Sequence, residues 1–171
     1  MSATLHQRPH ILLVLRPAIE FYPPSVHQAN ILVEQGFQVS VAQESPFSGA
    51  SIDAGLNPEV QRYYTHANTE ARSLLGRLMR VALFRNRIRR LVKQIRPAIV
   101  IAFDAEVAHA LGDHPKRCGM RLVWHFHELP ERESEGCYVR FANRYVWRNT
   151  RVPDLVVFPD PGRAGVFAQD A

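Results

Sequence analysis

The sequence predicts an α/β domain with a mostly parallel sheet covered by helices on both faces, a Rossmann-like three-layer arrangement. Three observations carry this. The runs 11–15, 98–103 and 122–124 are apolar at consecutive positions, as strands buried on both faces must be. Segments with helical periodicity follow them, so strands and helices alternate along the chain. Proline, glycine and polar clusters separate the segments. At 171 residues, 46% hydrophobic and 22% charged, the chain can bury one full core and is too apolar for disorder.

The first strand, 11–15, lies between Pro9 and Arg16-Pro17. After a loop holding Pro17, Pro23 and Pro24, Ser25 is placed to cap a helix to about Gln35. Val26, Ala29, Ile31, Leu32 and Val33 give that helix its apolar face, and Gly36 stops it. Residues 37–41 read as a second strand, 43–58 as a loop and 60–64 as a short third strand. A long helix is expected over 69–94, with Leu74, Leu78, Val81, Ile88 and Val92 on its buried face and Ile95 at its end. Leu75, Met79, Leu83 and Phe84 fall off that stripe. Strand 98–103 leads through Asp104 into a helix to about Leu111, and 112–119 is a turn-rich connection. Strand 122–126, a helix over 138–150, strand 155–158 and a helix over 161–169 complete the chain. The last helix stops without a terminating glycine, as at a domain boundary or at a frayed chain end.

The net charge of +5 is concentrated. Nine basic residues lie between Arg72 and Arg96, and Glu70 is the nearest acid. Such a helix is either an ordinary solvated face or an interfacial helix on an anionic lipid surface, where each basic residue contributes roughly 1 kcal/mol. In the second reading Arg80, Arg85, Arg87, Arg89, Arg90 and Lys93 meet the membrane, and the off-stripe Leu75, Met79, Leu83 and Phe84 insert. The patch lacks interleaved aromatics, so nucleic acid is a poor fit. No apolar run approaches the ~20 residues of a membrane span, and residues 1–9 have no signal-peptide core. Cys118 and Cys137 are far apart, with no CxxC, which suits a reduced cytoplasmic protein. His10, His66 and His114 show no metal-ligand spacing, so no metal is expected.

Six segments follow one another in a telling order. They are the opening Ile11-Leu-Leu-Val-Leu-Arg-Pro17, the helix with Gln28-Ala-Asn-Ile-Leu32, and Gln35-Gly-Phe-Gln-Val39. Further on come Ile95-Arg-Pro-Ala-Ile-Val-Ile-Ala-Phe-Asp104, Val123-Trp-His-Phe-His-Glu-Leu-Pro-Glu131 and Val152-Pro-Asp-Leu-Val-Val-Phe158. In this order they resemble the N-terminal, acceptor-side domain of family 4 glycosyltransferases with the GT-B fold. The resemblance implies one half of a GT-B architecture over residues 1–171, with a C-terminal nucleotide-sugar domain, or a partner subunit, outside this chain. It implies transfer of a sugar from a nucleotide-sugar to a glycan or lipid-linked acceptor, with no activity from this half alone. No cofactor is expected on this domain, because Tyr22-Pro-Pro-Ser25 replaces any glycine-rich phosphate cradle.

By that resemblance His127 sits on the acceptor side as the catalytic residue, accepting a hydroxyl proton or contacting the donor sugar. Asp104, at a strand's carboxyl end, either binds an acceptor hydroxyl or caps the helix from Ala105, and both roles can coexist. Glu128 either orients His127 and binds acceptor or caps the next segment. His125 shares a face with His127 by alternation, lining the site or packing in the core. Glu131 and Glu133 read as solvated loop charges. The competing function is a free-standing binding subunit that recruits a catalytic partner to the inner face of a membrane. A response-regulator-like domain shares the fold class but would need an acidic cluster after the first strand, which is absent.

Overall fold

The computed structural model describes residues 8–44, 55–65, 73–131 and 136–170. Six strands, β1 (His10–Val14), β2 (Gln38–Gln43), β3 (Gln61–Tyr64), β4 (Ile99–Phe103), β5 (Arg121–His125) and β6 (Leu155–Val157), form one sheet. Their order is β3-β2-β1-β4-β5-β6, and every neighbouring pair is parallel. The chain therefore winds outward from β1 in one direction, returns, and winds outward from β4 in the other. The carboxyl ends of β1 and β4 flank the crevice where such sheets bind ligands.

The helices are α1 (Pro23–Glu34), α2 (Leu74–Ile95), α3 (Asp104–Leu111), the short α4 (His114–Arg117), α5 (Cys137–Arg148) and α6 (Pro161–Asp170). Alternate strand residues feed two cores. Ile11, Leu13, Val39, Val41 and Ile101 pack with Val26, Ala29 and Val33 of α1. Leu12, Val14, Val100, Leu122 and Trp124 pack with α2, α3, α5 and Phe167 of α6. These are the three expected layers, and each strand lies within two residues of its predicted range.

Three local expectations are corrected. Ser25 does not cap α1, because Pro23 and Pro24 occupy its first positions, where a missing N–H costs nothing. Asp104 does not cap α3 with its side chain, since Phe103 is the N-cap and makes no side-chain cap bond. Asp104 itself opens the helix with φ 63°.

The third correction concerns α2, whose predicted residues 69–72 lie outside the described residues. Its N-cap is Ser73, which accepts from Gly76 N at 3.1 Å. The buried residues are Phe84, Ile88 and Val92, four apart, so Phe84 belongs to the core at 2% exposure and Leu78 is 56% exposed. A helix of 22 residues is about 33 Å long. Strands of three to six residues reach at most ~20 Å, so the first turns of α2 overhang the sheet. Arg89 also leaves the expected membrane face. Its guanidinium donates to Ala110 O and Leu111 O, both at 3.0 Å, satisfying carbonyls at the end of α3. Arg87 donates to Thr65 O at 2.6 Å. Arg85, Arg90 and Lys93 are exposed, and Arg80 is half-buried.

Candidate functional site

The site grows from two consecutive strand ends. β4 is buried throughout its last four residues, so the first residue past it, Asp104, emerges at the sheet's carboxyl edge. β5 ends one strand over at His125, and His127 follows two residues later on the same side. His127 N donates to Asp104 Oδ1 at 3.2 Å, and its Nδ1 lies 3.2 Å from Asp104 Oδ2. The left-handed backbone of Asp104 points its carboxylate across to the neighbouring strand end, and Asp tolerates that conformation better than most residues.

The other edge of the imidazole is also engaged. His127 Nε2 lies 3.1 Å from Ser25 Oγ, on a fully buried residue of α1. An ionised carboxylate only accepts, so Nδ1 carries the proton facing Asp104. In the neutral ring Nε2 then accepts from the Ser25 hydroxyl. Tyr22 and Phe103 flank the ring, with centroids 4.9 and 5.4 Å away. Burial raises the Tyr22 hydroxyl's pKa, helped by the charge of Asp104. Arg163 of α6 donates to His127 O at 2.6 Å.

Ser25, His127 and Asp104 thus form a chain of the residue types found in hydrolytic triads. Ser25 Oγ lies within a residue of 0% exposure, so it is no nucleophile for an outside substrate. The member open to solvent is Asp104, whose side chain is 41% exposed against 18% for His127.

A cavity of about 360 Å³ opens over these groups. Tyr22, Asp104, His127, Glu128 and Asn143 supply its polar lining, and Phe126, Leu129 and Val139 its apolar lining. The loop after His127 is tied to α5, because Asn143 donates to Glu131 O at 2.6 Å and Trp147 to Pro130 O at 2.8 Å. Exposed Glu128 also lines the cavity, while Glu133 lies outside the described residues.

His125 sits behind the cavity rather than in its lining. Its ring stacks on Phe103 at 4.8 Å and on His127 at 5.4 Å. Its Nδ1 is buried without a hydrogen-bond partner among the described residues. Burial pushes its pKa down, the nearby His127 adds to that, and Asp104 opposes it. Burial thus favours the neutral form of the ring, which stacks as part of the packing.

A third group fills the crevice beside β1. Arg16, just past that strand, pairs with Glu106 of α3 and with Glu44 at 3.4 Å. Burial still raises the pKa of Glu106, against the pull of Arg16. The start of α1 does not suit a phosphate. Pro23 and Pro24 have no N–H, and the N–H groups of Ser25 and Val26 both donate to Tyr22 O.

Both cysteines are free, and no group of three or more metal-ligating side chains occurs among the described residues. No described helix is long and apolar enough to cross a membrane. Ser25, Tyr22, Arg16 and Arg163 were not predicted as site residues. They come from α1, the β1 loop and α6, and for Ser25 the only local signal was the Pro-Pro pair that displaces it from the cap.

No protein-family model matches the chain, and no curated protein sequence matches it significantly. Solved structures do. A Listeria monocytogenes chain assigned as a UDP-N-acetylglucosamine 2-epimerase is similar over 96% of this chain and 42% of its own, with 13% identity and a TM-score of 0.65. Acinetobacter baumannii MurG is 18% identical over 91% of this chain and 42% of its own, with a TM-score of 0.59. The glycosyltransferase SsfS6 of Streptomyces sp. SF2575 is 17% identical over 90% of this chain and 49% of its own, with a TM-score of 0.53. The chain thus spans less than half the length of these relatives. It has the Rossmann-like fold of one half of a GT-B architecture.

Proposed function

We propose that this chain is the acceptor-side, N-terminal domain of a family 4-type GT-B glycosyltransferase, and that it is inactive without a nucleotide-sugar-binding half. The observation that carries the reading is the pairing of Asp104 with His127 across adjacent strand ends, under an open cavity at the ligand-binding edge of the sheet.

In this reading Asp104 meets the acceptor. Its exposed carboxylate accepts the hydrogen of the incoming hydroxyl, while His127 holds the carboxylate in place through Nδ1–H. That divides the role first given to His127, since both of its ring nitrogens are already engaged. Glu128 and Asn143 supply further hydrogen-bonding groups for a sugar's hydroxyls. The nucleotide belongs to the other half, consistent with the blocked start of α1. Catalysis is then mostly positioning and stabilisation of charge on the leaving phosphate. The test is nucleoside diphosphate release from a panel of UDP- and GDP-sugars. Residues 1–171 alone should release none above background, and a chain carrying the second half should turn over. Turnover by 1–171 alone would end this reading.

A second reading, a subunit that recruits a partner to a membrane at the cytoplasmic face, is favoured by one observation. Leu75, Leu78, Met79 and Leu83 of α2 are exposed beside Arg85, Arg90 and Lys93. Salt-sensitive binding to phosphatidylglycerol vesicles, lost when those three basic residues become Gln, is its expected result. Indifference to such vesicles at low salt removes it.

A further inference from the structure

His127 stands just past the point where main-chain bonds hold β5 in the sheet. The residue before it is still tied to β6 by such a bond, from Phe126 N to Val157 O at 3.0 Å. From His127 onward side chains take over. Its N–H donates to Asp104 Oδ1 at 3.2 Å, and its carbonyl accepts from Arg163 Nη1 at 2.6 Å. The carbonyls of Pro130 and Glu131 are held in the same way by Trp147 and Asn143. Of these three donors, Arg163 is the one that bonds the residue carrying the imidazole.

Arg163 is itself aimed. Asp160, the residue before α6, accepts from Arg163 N at 2.9 Å through Oδ1, and its Oδ2 lies 3.1 Å from Arg163 Nε. One carboxylate thus caps the helix and braces the guanidinium, which leaves Nη1 to reach His127 O. Residue 162 is glycine, where an added Cβ would lie 3.1 Å from Asp160 Oδ1 and crowd the brace. The helix is anchored by Phe167, 5% exposed, whose ring packs against Phe126, Trp147 and Phe158 at 6.0, 4.7 and 5.1 Å. Because Phe126 precedes His127, the donor and its carbonyl are mounted on one packed cluster.

The ion pair carries little energetic weight of its own. The side chains of Arg163 and Asp160 are 41% and 47% exposed, and pairs of that kind add little to folding. What the guanidinium fixes is orientation. With the N–H of His127 tied to Asp104 and its carbonyl to Arg163, the peptide units on both sides of its Cα are held. The direction from which the ring reaches Asp104 is held with them. We propose that Arg163 is a positioning residue for the Asp104–His127 pair, acting on the ring through the His127 carbonyl, with Asp160 as its brace. The proposal deepens the glycosyltransferase reading and rests on it only where transfer is measured.

The test is heteronuclear NMR of the histidine rings in residues 1–171, which distinguishes a protonated from an unprotonated ring nitrogen. In the unaltered chain His127 should show a single tautomer, protonated at Nδ1, as its bond to Asp104 requires. Arg163→Met should mix the two tautomers. Arg163→Lys, which can still donate to the carbonyl, should restore most of the single-tautomer signal. Asp160→Asn, which keeps the guanidinium and loses its brace, should fall between them. In the two-domain protein Arg163→Met should lower kcat by about tenfold or more and leave KM within about twofold, since a misplaced group costs rate rather than binding. Arg117→Met breaks a more exposed ion pair, to Asp113 at 3.2 Å, and should change neither readout. An unchanged tautomer in folded Arg163→Met overturns the proposal, and so does an equal change in Arg117→Met. If Arg163→Met does not fold, Asp160→Asn decides alone, and an unaltered ring spectrum there overturns the proposal. The ring spectra need no sugar donor. A mixed tautomer in Arg163→Met, beside an unaltered two-domain protein that transfers nothing, therefore sinks the glycosyltransferase reading and keeps the positioning role.

Discussion

At the amino end of the sheet His10 Nε2 lies 2.8 Å from Ser40 Oγ, and at the carboxyl end His127 Nε2 lies 3.1 Å from Ser25 Oγ. Both serines are fully buried, and each end has a cavity. The one beside His10, about 420 Å³, is the larger. The pairs differ in their third partner. Among the described residues no carboxylate lies beside His10, its cavity is lined by Arg8, Gln38 and Arg96, and burial lowers its pKa. His127 is tied to Asp104, whose left-handed backbone aims a solvent-facing carboxylate at the cavity. A histidine with a hydroxyl partner is ordinary packing. A strained carboxylate at the switch point of a parallel sheet makes the second pair a candidate site.

Substitutions can break that contrast. The largest effect belongs to His127→Phe, which keeps the stack between Tyr22 and Phe103 but releases Asp104 and Ser25. In the two-domain protein it should slow sugar transfer by about 10²–10⁴-fold, measured as nucleoside diphosphate release. Next is Ser25→Ala, which leaves a ring nitrogen without its partner and should cost about 1–3 kcal/mol in urea unfolding. Ser40→Ala should cost about 0.5–1.5 kcal/mol, because half-buried His10 can turn to water, and should leave transfer unchanged.

The fourth effect is pH-dependent. Burial holds the folded pKa of His125 below the ordinary value of about 6.5, so the fold favours the neutral ring. Stability from this source is present above about pH 6.5 and is lost as pH falls through the folded value. His125→Phe should flatten the decline between pH 7.5 and 5, without abolishing it, since His10, His109 and His114 are shifted the same way. An unchanged slope would mean that this ring is not the buried neutral group described. The smallest effect is His10→Gln, which should leave transfer within about twofold and stability within ~1 kcal/mol.

The sheet was legible because 11–15, 98–103 and 122–124 are continuous apolar runs, as strands covered on both faces require. Asp104 and His127 were legible for a related reason, since a titratable residue just past such a run must emerge at the sheet's edge. Strand order was not written in any local pattern. It put β4 beside β1 and made Asp104 a switch-point residue. Ser25 and His127 meet across 102 residues, so no local signal joins them. On α2 the expected Ile88 and Val92 are buried, and the misplaced residues are Leu78 and Phe84. Leu78 and Phe84 are equally apolar candidates, and only the length of the overhang decides which is covered. The inward turn of Arg89 depends on where α3 ends, beside Gly112 at φ 57°, where an added Cβ would lie 3.2 Å from Arg89 Nη2.

The most direct test of the site is Asp104→Asn in the two-domain protein, read for stability and transfer together. The amide oxygen still accepts from the His127 backbone N–H. The amide nitrogen that replaces Oδ2 donates to Nδ1 once the ring carries its proton on Nε2 toward Ser25 Oγ. Asparagine tolerates φ 63° as aspartate does, so the unfolding free energy should stay within ~1 kcal/mol. Transfer should fall by about 10²-fold or more, because an amide oxygen is a poor acceptor for the hydroxyl proton. Full transfer by a folded Asp104→Asn protein would contradict the account and leave the Asp104–His127 pair as structure alone.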